Sequence, residues 1–547
     1  MRLFLFRFIP TGGAHHRMNL VRSFSSVGIL TLVSRVLGFV RVMLMARFLG
    51  ASFATDAFLI ALRLPNMFRA LFAEGAFASA FVPLFNSKMK EDAGGLEKAM
   101  RFADQALAAL LPFLLLFTGL MMIFAGPAVL LLSGGFNDPT PAQFGFAVEL
   151  ARTTFPYLLF ISLVSLLGGI LNSLHKFWVN AAAPILLNLC LIGAMLFFNG
   201  PTDEDTARAM AWGVTLSGVL QLLWLILACA RAGAMPRLVR PRLTADVKRL
   251  LKLIWPAAAG AGAMQINLLI STMLAASLLP VGSVTYIDNA DRLNQLPLGL
   301  VGIGLGTVLL PALAGMIASG DVAGARDFQK KGLQLALFLS LPAAAALIVV
   351  AEPIIRALLQ YGAFDAADSV ATAGALAAFS IGLPAYILIK VLAPAFHARQ
   401  DMKTPLRFAL VAIAVNLGLN LILIWPLRHV GPPLATAIAA WVNVLLLYRA
   451  LARRDFFRVD RELVSHILRL ALAAALMAAA LWFGEPLIEP LLAQGFEMRI
   501  AGLALLVGGG ILVYAVAVFV TRAYTLAELM SVLRRKPRPK PTREKTE

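Results

Sequence analysis

Residues 106–132 read ALAALLPFLLLFTGLMMIFAGPAVLLL and contain no ionisable side chain. About 20 apolar residues in a helix cross a hydrocarbon core of about 30 Å. Comparable runs recur from one end of the chain to the other. Because lipid offers the backbone no hydrogen-bond partners, runs of this length without period-two alternation predict spanning helices and not barrel strands.

The composition supports the same fold class. The chain has 547 residues, of which 60% are hydrophobic and 14% charged, and its mean hydropathy is +0.82. Soluble domains are about 45–50% apolar and about 25% charged, so the surplus apolar surface needs lipid to cover it. We predict an all-α integral membrane protein with about fourteen transmembrane helices. The predicted spans are 25–49, 56–86, 104–132, 152–174, 178–199, 208–230, 250–279, 285–317, 330–351, 370–396, 405–427, 431–451, 466–484 and 499–521.

The net charge of +19 is concentrated in alternate loops. Counted over these spans, about thirty Lys and Arg fall in one set of loops and about five in the other, as the positive-inside rule predicts. Loops 231–252 and 449–469 and the tail are basic, whereas Asp203–Asp205 and Glu485 with Glu489 lie in the acidic set. Both termini should therefore face the cytoplasm. This placement, together with the absence of base-stacking aromatic–basic patterns, argues against nucleic acid as a partner.

Matching residues recur at an offset of about 228, which indicates an internal repeat in which spans one to six mirror spans seven to twelve. The matches are Ala61-Leu62-Arg63-Leu64 with Ala290-Asp291-Arg292-Leu293, Phe155-Pro156 with Leu383-Pro384, and Asn188 with Asn416. The predicted organisation is an N-terminal segment 1–24, an N-lobe 25–232, a C-lobe 233–452, two further helices in 453–522 and a basic cytoplasmic tail 523–547. Met18 is the expected start, since it leads directly into the first spanning run.

Ionisable and polar side chains within spans mark the candidate site, because an arginine at the bilayer centre costs at least about 2.5–3.5 kcal/mol. Such residues should face a hydrated interior and not lipid. The candidates are Arg35, Arg41, Asp56, Arg63, Asn66, Arg69, Glu74 and Arg292. At about 100° per residue, Asp56, Arg63 and Glu74 share one face of span two.

Arginines from both repeats are expected to converge on a central cavity. The planar guanidinium group matches phosphate oxygens, so the cluster favours a substrate that carries a diphosphate. The alternative is structural: Asp56 and Glu74 could form salt bridges that hold the two halves together.

The sequence lacks the motifs for ATP hydrolysis and for zinc catalysis. The sequence has no Gly-Lys dipeptide and therefore no phosphate-binding P-loop. Its six histidines show no metal-ligand spacing, and the two cysteines, Cys190 and Cys229, cannot form a four-ligand zinc site. We expect a transporter without a cofactor, and not an enzyme.

Two long blocks resemble a known family. Ser34-Arg35-Val36-Leu37-Gly38-Phe39-Val40-Arg41 and Arg63-Leu64-Pro65-Asn66-Met67-Phe68-Arg69, with Ala290-Asp291-Arg292-Leu293 further on, are similar to helices one, two and eight of the MurJ (MviN) lipid II flippases. The resemblance covers about residues 18–522. It implies a MOP-superfamily fold of two six-helix lobes plus two helices, and cavity residues at Arg35, Arg41, Asp56, Arg69 and Arg292.

The chain departs from the family pattern in three places. Val42 stands where an Asp is common, and Ala70 where a second Arg is common. Some members have a sodium site with acidic ligands. The matching positions here carry no carboxylate and are only weak sodium candidates: Asn267, Asn416, Asn420 and Thr436. Either a monovalent cation or the membrane potential could then drive transport.

The resemblance implies a flippase of the bacterial inner membrane that moves lipid II, the undecaprenyl-diphosphate-linked peptidoglycan precursor, to the periplasmic leaflet by alternating access. The tail would lie in lipid or along spans thirteen and fourteen. Membrane lipids, and possible contacts with the cell-wall synthesis machinery, complete the expected partners. The alternatives are a flippase for another polyprenyl-diphosphate-linked saccharide, a MOP-superfamily small-molecule exporter, and a cell-wall scaffold that does not transport.

Overall fold

The computed structural model describes residues 14–73, 76–91 and 94–524. Three predictions fall outside these residues: the segment before residue 14, the role of Glu74, and nearly all of the basic tail.

The described residues are almost entirely helical and contain no β-strand, as the sequence predicts. A 3₁₀ turn, Arg428–Val430, precedes α16. The helices are α1 (Ala14–Leu49), α2 (Phe53–Ala73), α3 (Ala76–Met89), α4 (Gly95–Ile123), α5 (Ala125–Ser133), α6 (Pro141–Thr154), α7 (Pro156–Ser173), α8 (Phe177–Phe197), α9 (Asp203–Arg231), α10 (Ala245–Leu278), α11 (Ser283–Ala318), α12 (Val322–Val349), α13 (Ala351–Leu359), α14 (Ala366–His397), α15 (Lys403–Leu427), α16 (Gly431–Arg453), α17 (Arg461–Leu492) and α18 (Phe496–Val520).

Ten stretches of the described chain are long and apolar enough to cross a membrane, and two further apolar stretches are shorter. One of the ten, Lys403–Arg453, contains both α15 and α16. The predicted second span corresponds to α2 and α3 and is not among the ten, in keeping with the charged side chains that interrupt it. The membrane-spanning fold is confirmed, while the count of fourteen spans stays a prediction.

The chain forms two compact units. Unit 1 contains the chain up to Asn289 together with Leu359–Ala371 and Leu417–Pro432. Unit 2 contains Ala290–Leu358, Thr372–Asn416 and the chain from Pro433 onward. Unit 1 draws on both predicted repeats, whereas unit 2 contains parts of the second repeat and the chain after it. The predicted boundary between the lobes at 232/233 stays a prediction.

The core of unit 1 is built around a stack of phenylalanine rings on α3 and α4. Phe81 is fully buried and lies 5.3–5.6 Å from the rings of Phe77, Phe85 and Phe102. Gly169 on α7 permits close packing here, because a Cβ at that position would lie 2.9 Å from the Phe81 ring. Such tight packing gives α2, α3 and α7 fixed positions, and α2 carries much of the candidate site.

In unit 2, polar contacts tie α17 and α18 to neighbouring helices. The hydroxyl of Tyr514 on α18 donates to the carbonyl of Phe338 on α12 at 2.8 Å. The guanidinium of Arg356 on α13 donates to both carboxylate oxygens of Glu489 at 2.9 and 3.0 Å. Glu485 and Glu489 lie within α17, so the prediction that a loop begins at residue 485 is wrong: the helix continues to Leu492 through two prolines.

A second polar junction of unit 2 lies between α14 and α15. The carboxylate of Asp401 accepts from the Thr404 amide at 3.0 Å and hydroxyl at 2.6 Å, and from the Arg454 guanidinium at 2.6 Å. The hydrogen bonds from Thr404 and Arg454 hold the pKa of Asp401 well below its usual range. The charged form of Asp401 therefore stabilises this connection.

Candidate substrate-binding site

The candidate arginines of α1 and α2 differ in exposure, and none of them is fully buried. α1 and α2 are apolar helices in which these cations are exceptions. Arg35 is exposed, whereas four residues are half-buried: Arg41, Arg63, Asn66 and Arg69. Half-burial allows a guanidinium to keep solvent on one side while its stem packs on the helix, which is what an anion-binding surface needs.

Tyr157, which the sequence analysis did not single out, interacts electrostatically with two of these arginines. It is the second residue of α7 and only 1% of it is exposed. The guanidinium groups of Arg69 and Arg41 lie within electrostatic range of its phenol, and the Gln221 side chain on α9 is its hydrogen-bond neighbour. Gly218 gives the ring its room, because a Cβ there would lie 2.9 Å from Tyr157 Cδ2. A buried phenol thus lies within electrostatic range of two cations. In the sequence, the Phe155-Pro156 pair at the junction of α6 and α7 was the one feature that could have drawn attention to Tyr157.

Asp56 is bound to the start of α11. Its carboxylate accepts from the amide of Gly282 at 2.7 Å, from the amide of Thr285 at 2.9 Å and from the hydroxyl of Thr285 at 2.6 Å. The side chain is 5% exposed. A carboxylate with three donors at a helix N-terminus has the geometry of a cap. Substrate contact by Asp56 and the alternative, a salt bridge that holds the two halves together, both stay predictions.

Further contacts surround this cap within unit 1. The hydroxyl of Tyr286 donates to Asp368 at 2.8 Å, and its ring lies 5.4 Å from that of His429. The Ala363 amide donates to the Arg47 carbonyl at 2.9 Å. We call this group the Asp56 cluster, made up of Arg47, Asp56, Gly282, Thr285, Tyr286, Ala363, Asp368 and His429. The cluster joins segments of the two predicted repeats.

Unit 2 contains the candidate Arg292 and a second cation, Lys390, within its long helices. Arg292 on α11 is half-buried, and its neighbour Asp291 accepts from the Gln295 amide at 2.5 Å. Lys390 lies inside α14, and its Nζ would be 3.1 Å from a Cβ placed on Gly302. An ionisable residue in a long apolar run was the signal for Lys390, and the sequence analysis overlooked it. Because Arg292 lies in unit 2 and Arg63 in unit 1, their convergence stays a prediction.

The predicted sodium positions form amide–hydroxyl pairs. Asn416 donates to the Thr436 hydroxyl at 3.0 Å in unit 2, and Asn420 donates to the Ser271 hydroxyl at 2.9 Å in unit 1. Asn267 lies in unit 1, in α10. Among the described residues, no group of three or more His, Cys, Asp or Glu is arranged to hold a metal ion. The cation site stays a prediction.

Asn188, the repeat partner of Asn416, serves a packing role that is visible in unit 1. Its amide donates to the Ser34 carbonyl at 3.0 Å, and Gly38 lies against the same side chain. α8 therefore holds α1 on both sides of Arg35. Removing this bond would leave a buried amide unsatisfied and α1 less firmly held.

Long apolar helices that carry half-buried cations define the class as a membrane transporter, and solved structures identify its fold. A multidrug resistance MATE family transporter of the MOP superfamily, in an inward-facing conformation, matches with a TM-score of 0.61 at 16% identity, covering 77% of this chain and 95% of that one. That likeness establishes the MOP fold.

Sequence comparisons identify the family. The profile described as "Lipid II flippase MurJ" matches residues 45–502. A probable lipid II flippase MurJ of Rhizobium meliloti (strain 1021) is 43% identical over 86% of this chain and 88% of its own length. Its counterpart in Rhizobium tropici is 40% identical over 96% and 98%. This chain belongs to the MurJ family, and the resemblance seen in its motifs is confirmed.

A solved structure of the same family agrees. "Lipid II flippase MurJ, inward closed conformation" matches with a TM-score of 0.74 at 25% identity, covering 90% of this chain and 98% of that one. The chain is therefore a multi-pass transporter of the inner membrane and not an enzyme.

Proposed function

We propose that this protein moves lipid II from the cytoplasmic to the periplasmic leaflet by alternating access. Membership of the MurJ family supports the substrate. The observation that carries the mechanism is the set of half-buried arginines on the otherwise apolar helices α1 and α2; two of them, Arg41 and Arg69, lie within electrostatic range of the Tyr157 phenol.

The substrate's diphosphate defines the roles of the cations. Two or three guanidinium groups can each form paired hydrogen bonds to phosphate oxygens, and they do so more strongly where water is partly excluded. Arg35, Arg41, Arg63, Arg69 and Arg292 are the proposed ligands, with Asn66 as a neutral neighbour. Glu74, which lies outside the described residues, is the remaining acidic candidate.

The polyprenyl tail needs only an apolar path. α17 and α18 present large exposed apolar side chains, among them Leu472, Phe483, Leu505 and Ile511. These side chains suit contact with a lipid chain as well as with the bilayer. With both termini in the cytoplasm, the membrane potential would act on whatever net charge moves with the substrate. Contact with the cell-wall synthesis machinery is a further proposal.

A complementation experiment tests this function. A bacterium is depleted of its own lipid II flippase, this chain is expressed, and exposure of lipid II on the outer face is measured. Wild type should restore exposure and Arg292→Ala should not. Arg292→Lys should also perform poorly, because an ammonium group cannot make the paired contact.

The control is Arg101→Ala, which removes an exposed arginine that pairs with Glu97 on α4; it should transport normally. Full transport by Arg292→Ala would refute the role of the arginine. Failure of correctly inserted wild type would instead favour a different polyprenyl-diphosphate substrate.

A further inference from the structure

The segment between α9 and α10 combines positive charge with exposed apolar side chains. We call residues 232–244 the basic linker. Arg237, Arg240 and Arg242 are all exposed, and they alternate with Leu238 and Leu243, which are 71% and 65% exposed. Large apolar side chains that are exposed together in a short segment mark a site of interaction with a membrane or a protein.

Contacts at both ends of the basic linker hold it in place, so Leu238 and Leu243 are exposed in a defined conformation of the chain. Ala234 is fully buried, and the Arg237 amide donates to Asp104 of α4 at 2.6 Å. At the far end Thr244 caps α10 by accepting from the Val247 amide at 3.3 Å. Between these two anchors, residues 237–243 present their arginines and leucines outward.

The charge around the linker is one-sided. Arg231 precedes it, and Lys248, Arg249 and Lys252 follow on α10. The acidic residue in this stretch, Asp246, is engaged by Lys88 of α3 at 2.9 Å. The predicted spans end at 230 and resume at 250, so the linker lies directly at the membrane surface. Basic clusters in this position attract anionic lipid, and leucines between them insert at the headgroup boundary.

We propose that the basic linker is a binding surface for anionic phospholipid headgroups of the cytoplasmic leaflet. Arg237, Arg240 and Arg242 contact the phosphates, and Leu238 and Leu243 enter the boundary between headgroups and acyl chains. The linker connects the last helix of the first predicted repeat to the first helix of the second. The lipid therefore holds the connection between the repeats against the bilayer.

Hydrogen exchange tests the proposal without any transport assay. The full chain is reconstituted in nanodiscs of phosphatidylcholine alone and of phosphatidylcholine mixed with phosphatidylglycerol. Amides of residues 237–243 should exchange about tenfold more slowly when phosphatidylglycerol is present. The triple variant Arg237→Gln, Arg240→Gln, Arg242→Gln should lose that difference.

A matched control removes three exposed arginines from the other basic loop: Arg449→Gln, Arg453→Gln, Arg461→Gln. This variant should keep the lipid-dependent protection of 237–243. Equal exchange in the two lipids, or an equal loss in the control, would overturn the proposal. Leu238→Ser with Leu243→Ser keeps the charges, so protection as strong as in wild type would overturn the insertion of the leucines.

Discussion

Thr285→Val tests whether the Asp56 cluster is stabilised by the contacts that its geometry shows. The substitution preserves shape and removes the hydroxyl that donates to Asp56 at 2.6 Å. A hydrogen bond to a charged group contributes about 1.5–3 kcal/mol, and more is lost when a buried acceptor goes unsatisfied. Asp56 keeps its two amide donors, so the lower end of this range applies. Since each 1.36 kcal/mol is a factor of ten, a loss of about 1.5 kcal/mol should make the cluster open about tenfold more often.

Hydrogen exchange at residues 282–286 measures that opening, because the Gly282 and Thr285 amides are the remaining donors to Asp56. In Thr285→Val these amides should exchange faster by the same factor. Tyr514→Phe is the control: it deletes a hydroxyl of the same kind in unit 2, where the acceptor is the Phe338 carbonyl, and should leave 282–286 unchanged. Unchanged exchange in Thr285→Val would refute the reasoning.

Three further changes have expected outcomes. Gly282→Ala should lower the thermal unfolding midpoint, since Gly282 has a φ of +90° and a Cβ would lie 2.6 Å from the Ala51 carbonyl oxygen; an unchanged midpoint would contradict this. Tyr157→Phe should weaken binding of lipid II to the purified protein without lowering its unfolding midpoint; equal affinity would remove Tyr157 from the site. Asp401→Asn should destabilise the protein at neutral pH. The pKa of Asp401 is lower in the folded state than in the unfolded state, so its contribution to the free energy of unfolding is complete above the unfolded-state pKa of about 3.9. That contribution is lost as the pH falls through the folded-state pKa. The difference in stability between wild type and Asp401→Asn should therefore shrink in acid.

The architecture could be predicted because the forces behind it are local in sequence. Apolar runs such as 106–132 require lipid or a core. The alternating basic loops predict how the helices are oriented in the membrane, and that orientation stays a prediction. The second span was harder, since the charges of Arg63 and Arg69 weaken its hydropathy. The end of α17 was mispredicted because Glu489 has a partner, Arg356, that is far away in the sequence.

The candidate site was only partly predictable, because its residues find their partners over long sequence separations. Depth in an apolar helix identified Arg41 and Arg69 as unusual. Nothing in the sequence placed Tyr157 beside them, since that contact depends on how α7 packs against its neighbours. The bonds of Asp56 connect residues more than two hundred positions apart. Helical periodicity predicts which residues share one side of a helix, but it does not predict which distant residues they contact.

The hydrogen bonds of the Asp56 carboxylate bear on whether it can neutralise the arginines of α1 and α2. A carboxylate beside an arginine would pair with it and compete with a phosphate ligand. The carboxylate of Asp56 is instead occupied by two amides and a hydroxyl at the start of α11. The phenol of Tyr157 lies within electrostatic range of Arg41 and Arg69, and because a phenol is neutral it does not cancel the charge of a guanidinium. Val42 follows Arg41, so the sequence places no acid at that neighbouring position. The carboxylate of Asp56 is committed to a helix cap, which shows how an acidic residue can stand on an arginine-bearing helix with its charge satisfied by backbone and hydroxyl donors.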